Sequence, residues 1–317
     1  MIVDLDMRLW LRNEELGDEL AASVRRATAS RWLRPDATPT ALEAQLATVD
    51  GGVVVGFRSE LLRGAVSESA VLSAAERSGG RLVAARAVDP MAKDAERAVE
   101  SARNDGFRAI WVDPCLQGFH PSDTRAMRVF DRCEAMQLPL LVGWSGPLPA
   151  SARLEFARPY LFDEPARAFP RLSIVLGGFG APFLGETLAM LAKHDRIFTH
   201  TGGVAARPWE LLHALQGCRD HGVDQKVFFA SGFPFDTPAR AVEALYSVNA
   251  MVQSTPLPMI ARSVLREIVE RDAMSLLGMG APPMRTERQP MRALAAGLTL
   301  PETDSPASGQ QSARTPS

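Results

Sequence analysis

At 317 residues the chain is long enough for one large domain or two small ones, and its 46% hydrophobic content can build a sizeable core. Its 35 basic and 37 acidic residues nearly cancel and are interspersed, so no basic stripe marks a nucleic-acid partner. No apolar run approaches the length of a bilayer span, and Cys115, Cys133 and Cys218 are too sparse for a disulfide framework; a cytoplasmic protein with reduced thiols and no membrane partner is expected.

The opening MIVDLDMRLW has no basic leader and no long apolar stretch, so it is not read as a signal peptide; residues 2–6 read as a buried strand. A long connection over about 11–50 follows, with helices expected at 13–28 and 40–48. Strand-like runs rich in Val, Ile, Leu and Phe then recur at 52–57, 81–87, 108–113, 139–143, 173–177, 196–201 and 227–231. Helical spacing fills the gaps, most clearly at 91–104, 123–136, 183–194, 208–221 and 238–248. Ser122-Asp123 and Asp236-Thr237-Pro238 are helix-entry signals before two of these. A last helix is expected at 258–277.

Strands separated by helices pair in parallel through right-handed crossovers, and eight of them predict a closed (β/α)8 TIM barrel over 1–280, with 11–50 as a capping insertion after the first strand. No GxGxxG follows the first strand to support an open doubly wound sheet. The segment 281–317 changes to Pro, Ser, Gln, Thr and Arg, and is expected to be a C-terminal extension, disordered after about 300, with at most a short helix at 288–298.

In a barrel, chemistry belongs at the C-terminal strand ends. Here these carry Asp4, Asp6 and Arg8, then Asp113, Gly143-Trp144-Ser145, Gly177-Gly178-Phe179-Gly180, His200-Thr201 and Ser231-Gly232-Phe233-Pro234. Together with the runs GFHPSDTRAMRVFDRCEAMQLPLLVGWSG, FPRLSIVLGGFGAPF, VFFASGFPFDTP and RDAMSLLGM, they make the chain resemble, from Met1 to about Met279, the amidohydrolase-related family that includes aminocarboxymuconate semialdehyde decarboxylase. The resemblance implies a metal-dependent hydrolase or decarboxylase. Its ligands would be a pair one residue apart on the first strand, a His after the fifth strand, a His after the sixth and an Asp after the eighth. Those slots fall on Asp6 and Arg8, Gly143, Gly178 and Gly232. Only Asp6 can donate to a cation, Arg8 is itself a permanent cation, and no Lys ends a strand to form a carbamate bridge. No metal and no other cofactor is therefore expected.

Residues two apart on a strand face the same side, so Asp6 and Arg8 are expected to pair across the mouth. The pair either neutralises the vacated site or presents a guanidinium fork to a small carboxylate or phosphate ligand. Asp6, Arg8 and His200 are the catalytic candidates, and Gly143, Trp144, Gly178 and Gly232 complete the expected pocket. Cys115, Ser145 and Ser231 rank lower, lacking a visible base or a GxSxG elbow. The leading expectation is a non-catalytic barrel, a homo-oligomer or a hetero-oligomer with an active paralogue that it serves as partner or regulator. The alternatives are a metal-independent hydrolase or decarboxylase acting on a small carboxylate, and a small-molecule sensor.

Overall fold

The computed structural model describes residues 1–29 and 35–280. The expectations for 281–317, including the helix at 288–298, lie outside the described residues. Eight strands form one sheet: β1 (Val3–Arg8), β2 (Gly51–Val55), β3 (Leu82–Ala87), β4 (Phe107–Val112), β5 (Leu140–Val142), β6 (Ile174–Leu176), β7 (Ile197–His200) and β8 (Val227–Phe228). Each pairs in parallel with its successor in chain order. The ring closes between the last strand and the first, where Leu5 N–H donates to the Phe229 carbonyl at 3.2 Å, Arg8 N–H to the Phe233 carbonyl at 2.9 Å, and Met7 bridges Phe233. The fold is a (β/α)8 barrel. Most of its strands are short and largely apolar because both faces are covered, by the barrel interior and by the helices outside, while β1 alternates and carries Asp4, Asp6 and Arg8.

The entry signals act as read. Asp123 accepts the Arg125 N–H at 2.8 Å, and Thr237 accepts the Arg240 N–H at 3.4 Å ahead of Pro238. Several expected elements differ in extent, such as the helix expected at 91–104, which spans Ala95–Ser101, and the strand expected at 227–231, which spans Val227–Phe228; three differences have a visible cause. The first strand runs on to Arg8, because Arg8 N–H is part of the closing seam. The helix expected at 13–28 is a short 3-10 turn (Asn13–Leu16) and a helix (Asp18–Ala29), parted at Gly17 with φ +80°. The helix expected at 258–277 begins at Arg262 and is interrupted after Glu270. There Asp272 caps a separate turn, Ala273–Leu276, while the Arg271 side chain turns away to donate to the Asp224 and Val227 carbonyls.

Two features position the mouth and were not anticipated. A two-residue hairpin, Arg58–Ser59 with Gly64–Ala65, follows β2. After β5, residues 143–162 fold across the strand ends through two 3-10 turns, Leu154–Ala157 and Pro159–Phe162. Among the described residues no helix is long and apolar enough to cross a membrane.

Candidate functional site

β1 sends Asp4, Asp6 and Arg8 to one side, and all three are buried. Arg8 Nε donates to Asp6 Oδ1 at 2.7 Å, with both side chains only 3% exposed. Arg8 Nη2 donates to the Gly143 carbonyl at 2.7 Å, and that carbonyl also accepts from Trp111 Nε1 at 2.7 Å. The guanidinium carbon lies 4.7 Å from the Trp111 ring centre and 5.2 Å from that of Trp144. The second Asp6 oxygen accepts the Ser145 hydroxyl. Within this cluster Arg8 Nη1 and Asp4 Oδ2 are left buried without a hydrogen-bond partner.

The remaining ligand slots are part of the same cluster. At Gly143 (φ +106°) a Cβ would meet nothing nearer than Gly177 at 3.8 Å. At Gly178 (φ +55°) it would meet the Gly202 carbonyl at 2.8 Å, and at Gly232 (φ +75°) the Gly203 nitrogen at 2.7 Å and Ser145 Cβ at 3.1 Å. The backbone after β7 and the side chain of Ser145 thus stand where two ligand side chains would need to start. His200 Nδ1 accepts the Gly202 N–H at 3.0 Å and the Gly178 N–H at 3.4 Å, which assigns its proton to Nε2. Burial lowers its pKa below the usual histidine range, so it is neutral at pH 7. Trp144 donates from Nε1 to the Pro147 carbonyl at 3.1 Å and packs edge-on against Phe235 and Phe57 and tilted against Trp10.

Two further carboxyls flank the pair. Burial pushes Asp4 up to about 7, against the Ser231 side-chain and backbone contacts and the Asp6 backbone N–H, which pull the other way. Burial likewise pushes Asp113 up to about 6, opposed by the Leu116 N–H and by the charge of Arg8. Asp113, Cys115, Gly143 and Trp144 border a cavity of about 80 Å³ walled by Leu154 and Phe162, and Asp6, Arg8 and His200 do not line it. Burial and the neighbouring Asp113 push the Cys115 thiol up to about 12, and burial raises Cys133 and Cys218 as well. No reactive thiolate is available at neutral pH. Titration of the native protein with an aromatic disulfide reagent should therefore show no fast-reacting thiol, and all three cysteines only after unfolding. A rapid reaction at Cys115 would refute this.

The donor set does not fit a divalent metal. Asp6 is engaged by Arg8 and Ser145, His200 Nδ1 is engaged by backbone N–H groups, and the glycine slots have no side-chain donor. Among the described residues, no group of three or more His, Cys, Asp or Glu is placed to hold a metal ion. The structure thus brings together Asp6, Arg8, Gly143, Trp144, Gly178, His200 and Gly232. Sequence reasoning ranked Ser145 low and missed Trp111, whose position on a buried strand reads as core.

The family profile described as amidohydrolase matches residues 3–267. None of the curated proteins compared with the chain matches it. Among solved structures, an uncharacterised TIM-barrel protein from Bordetella bronchiseptica superposes with a TM-score of 0.64 at 18% identity, covering 88% of this chain and 98% of that one. A 2,6-dihydroxybenzoate decarboxylase from Rhizobium gives 0.59 at 16%, covering 88% and 98%. A dihydroxybenzoic acid decarboxylase from a Polaromonas species, with bound manganese and the inhibitor 2-nitroresorcinol, gives 0.58 at 14%, covering 88% and 97%. At these identities the structures share the fold with this chain, and the profile spans most of its length: the chain belongs to the amidohydrolase family.

Proposed function

We propose that this barrel is a non-catalytic member of its family that works by association, as the partner or regulatory subunit of an active paralogue. The observation that carries the reading is the mutual satisfaction of Asp6, Arg8, Ser145 and the Gly143 carbonyl at the centre of the mouth. Metal-assisted hydrolysis or decarboxylation needs about three protein ligands and an open coordination position. Here the three glycine slots lack donors, Asp6 is engaged by Arg8 and Ser145, and a buried guanidinium adds positive charge where a dication would sit. Acid–base catalysis by Asp6, Arg8 and His200 is less well supported, because the first two are spent on each other and His200 Nδ1 is held by backbone N–H groups.

Association is supported by exposed apolar side chains, among them Leu11, Leu61, Leu148, Leu154 and Tyr160 on segments that follow strand C-terminal ends.

The test is metal analysis by plasma mass spectrometry on untagged protein supplied with zinc and manganese, together with native mass spectrometry of the chain mixed with a paralogue. We expect metal far below one equivalent per chain and a mixed oligomer. A tightly held stoichiometric metal, or a strictly monomeric chain that ignores the paralogue, would overturn the reading. Turnover of a small carboxylate that survives chelation and disappears in Arg8→Ala would establish the metal-independent enzyme instead.

A further inference from the structure

We infer that Arg8 is the resident cation of the barrel mouth: its guanidinium does permanently what a bound ion would do, neutralising Asp6 and latching the segment after β5 across the strand ends. The inference rests on the functional reading above, in that it requires a mouth without metal.

The surroundings of Arg8 are those that recognise a planar, delocalised cation. A carboxylate oxygen lies at 2.7 Å from Nε, a carbonyl oxygen at 2.7 Å from Nη2, and two indole rings flank the guanidinium at 4.7 and 5.2 Å. Indole faces attract cations, and guanidinium gives up its hydration more easily than ammonium does. The Asp113 carboxyl also feels the charge of Arg8. The contacts come from three elements: β1 supplies Asp6, β4 supplies Trp111, and the segment after β5 supplies Gly143 and Trp144.

The latch follows from the same bonds. Arg8 holds the Gly143 carbonyl, Asp6 holds the Ser145 hydroxyl, and Trp144 between them covers the guanidinium. Both members of the ion pair therefore restrain one stretch of chain, 143–145. Ser145 in turn lies under the glycines after β7 and β8, because a Cβ at Gly203 would sit 2.9 Å from the Ser145 carbonyl and one at Gly232 3.1 Å from its Cβ. Removing the cation leaves Asp6 buried and uncompensated, and releases the Arg8 bond to this stretch while Trp111 Nε1 stays on the Gly143 carbonyl.

The experiment is chemical rescue. Arg8→Ala in the full chain is expected to lower Tm by roughly 10 °C. Guanidinium chloride far below denaturing concentration should raise the Tm of this variant saturably, while equal sodium chloride or urea does not, and the wild-type Tm does not rise. Arg8→Met, which refills volume without charge, should melt below wild type and ignore guanidinium. If guanidinium leaves Arg8→Ala unmoved, or Arg8→Met melts with wild type, the inference is wrong. Should Arg8→Ala fail to fold, solvent exchange at Arg8 Nε–H in the wild-type chain decides. It is expected to be slower by roughly 100-fold or more than at the exposed Arg63, and exchange at the surface rate would refute the latch. A wild-type chain carrying stoichiometric metal sinks the functional reading. A metal-free chain without rescue sinks this inference alone.

Discussion

Gly232→Asp, which restores the carboxylate that the family resemblance places after the eighth strand, is expected to lower stability by about 2–5 kcal/mol and to recruit no metal. Two costs add. The backbone at 232 has φ +75°, a left-handed conformation that costs a residue with a Cβ about 1–2 kcal/mol. The new Cβ would also lie 2.7 Å from the Gly203 nitrogen and 3.1 Å from Ser145 Cβ, and forcing atoms into a packed interior costs about 1–3 kcal/mol more. Gly143→Ala is the informative contrast. Its φ is +106°, yet its nearest neighbour to a new Cβ is 3.8 Å away, so only the backbone cost of about 1–2 kcal/mol applies. Urea unfolding midpoints compare the variants directly. Equal midpoints for Gly232→Asp and wild type would mean that the backbone has not closed over the old ligand position. The contrast also bears on how the site was lost: with Gly178 equally crowded by the Gly202 carbonyl, no single reversion can rebuild it.

How much of this was legible in sequence depended on whether the cause was local. Each barrel strand overlaps one of the expected short runs, often ended by Gly or Asp, since a strand buried on both faces favours apolar residues. The Asp6–Arg8 pair was legible for the same reason: a spacing of two fixes a shared face whatever the rest of the chain does. The hairpin at Arg58–Ser59 and Gly64–Ala65 was not, because two-residue strands carry no period. Nor was the break at Arg271, which follows from its bonds to the Asp224 and Val227 carbonyls, 40 or more residues away. The site itself divides along this line. Glycine at three ligand slots followed from the family resemblance laid over the strand ends. What fills the vacated space (Ser145 on Asp6, the Gly202-Gly203 backbone, the Trp144 packing) depends on how two loops lie over the mouth, and residue identity alone does not encode that.

The second large effect is a loss of stability as pH rises from about 4 to about 7, and it originates at Asp4. This carboxyl is fully buried, and its Oδ1 accepts the Asp6 N–H at 3.1 Å and the Ser231 N–H at 3.0 Å, joining the first strand to the segment that closes the barrel. Burial raises its pKa from 3.8 to about 7. Between those values the folded state keeps a proton that the unfolded chain has lost, so folding is favoured below the window and that advantage disappears as pH climbs through it. At about 1.4 kcal/mol per unit the total is several kcal/mol, large against a domain's net stability. Asp113, raised to about 6, acts in the same direction. His200 acts the other way, because its lowered pKa makes the unfolded chain the better proton binder just below 6.5. Asp163, held down to about 2 by Lys193 and His194, titrates below the window. Asp4→Asn separates these contributions, since the amide oxygen can still accept both N–H bonds but nothing at this position titrates. The stability of the variant relative to wild type should climb steadily from pH 5 to pH 7 and level off above about 8. A difference that stays flat across that range would show that Asp4 keeps its charge when buried, so that the closing seam of the barrel would be ionic instead of protonated.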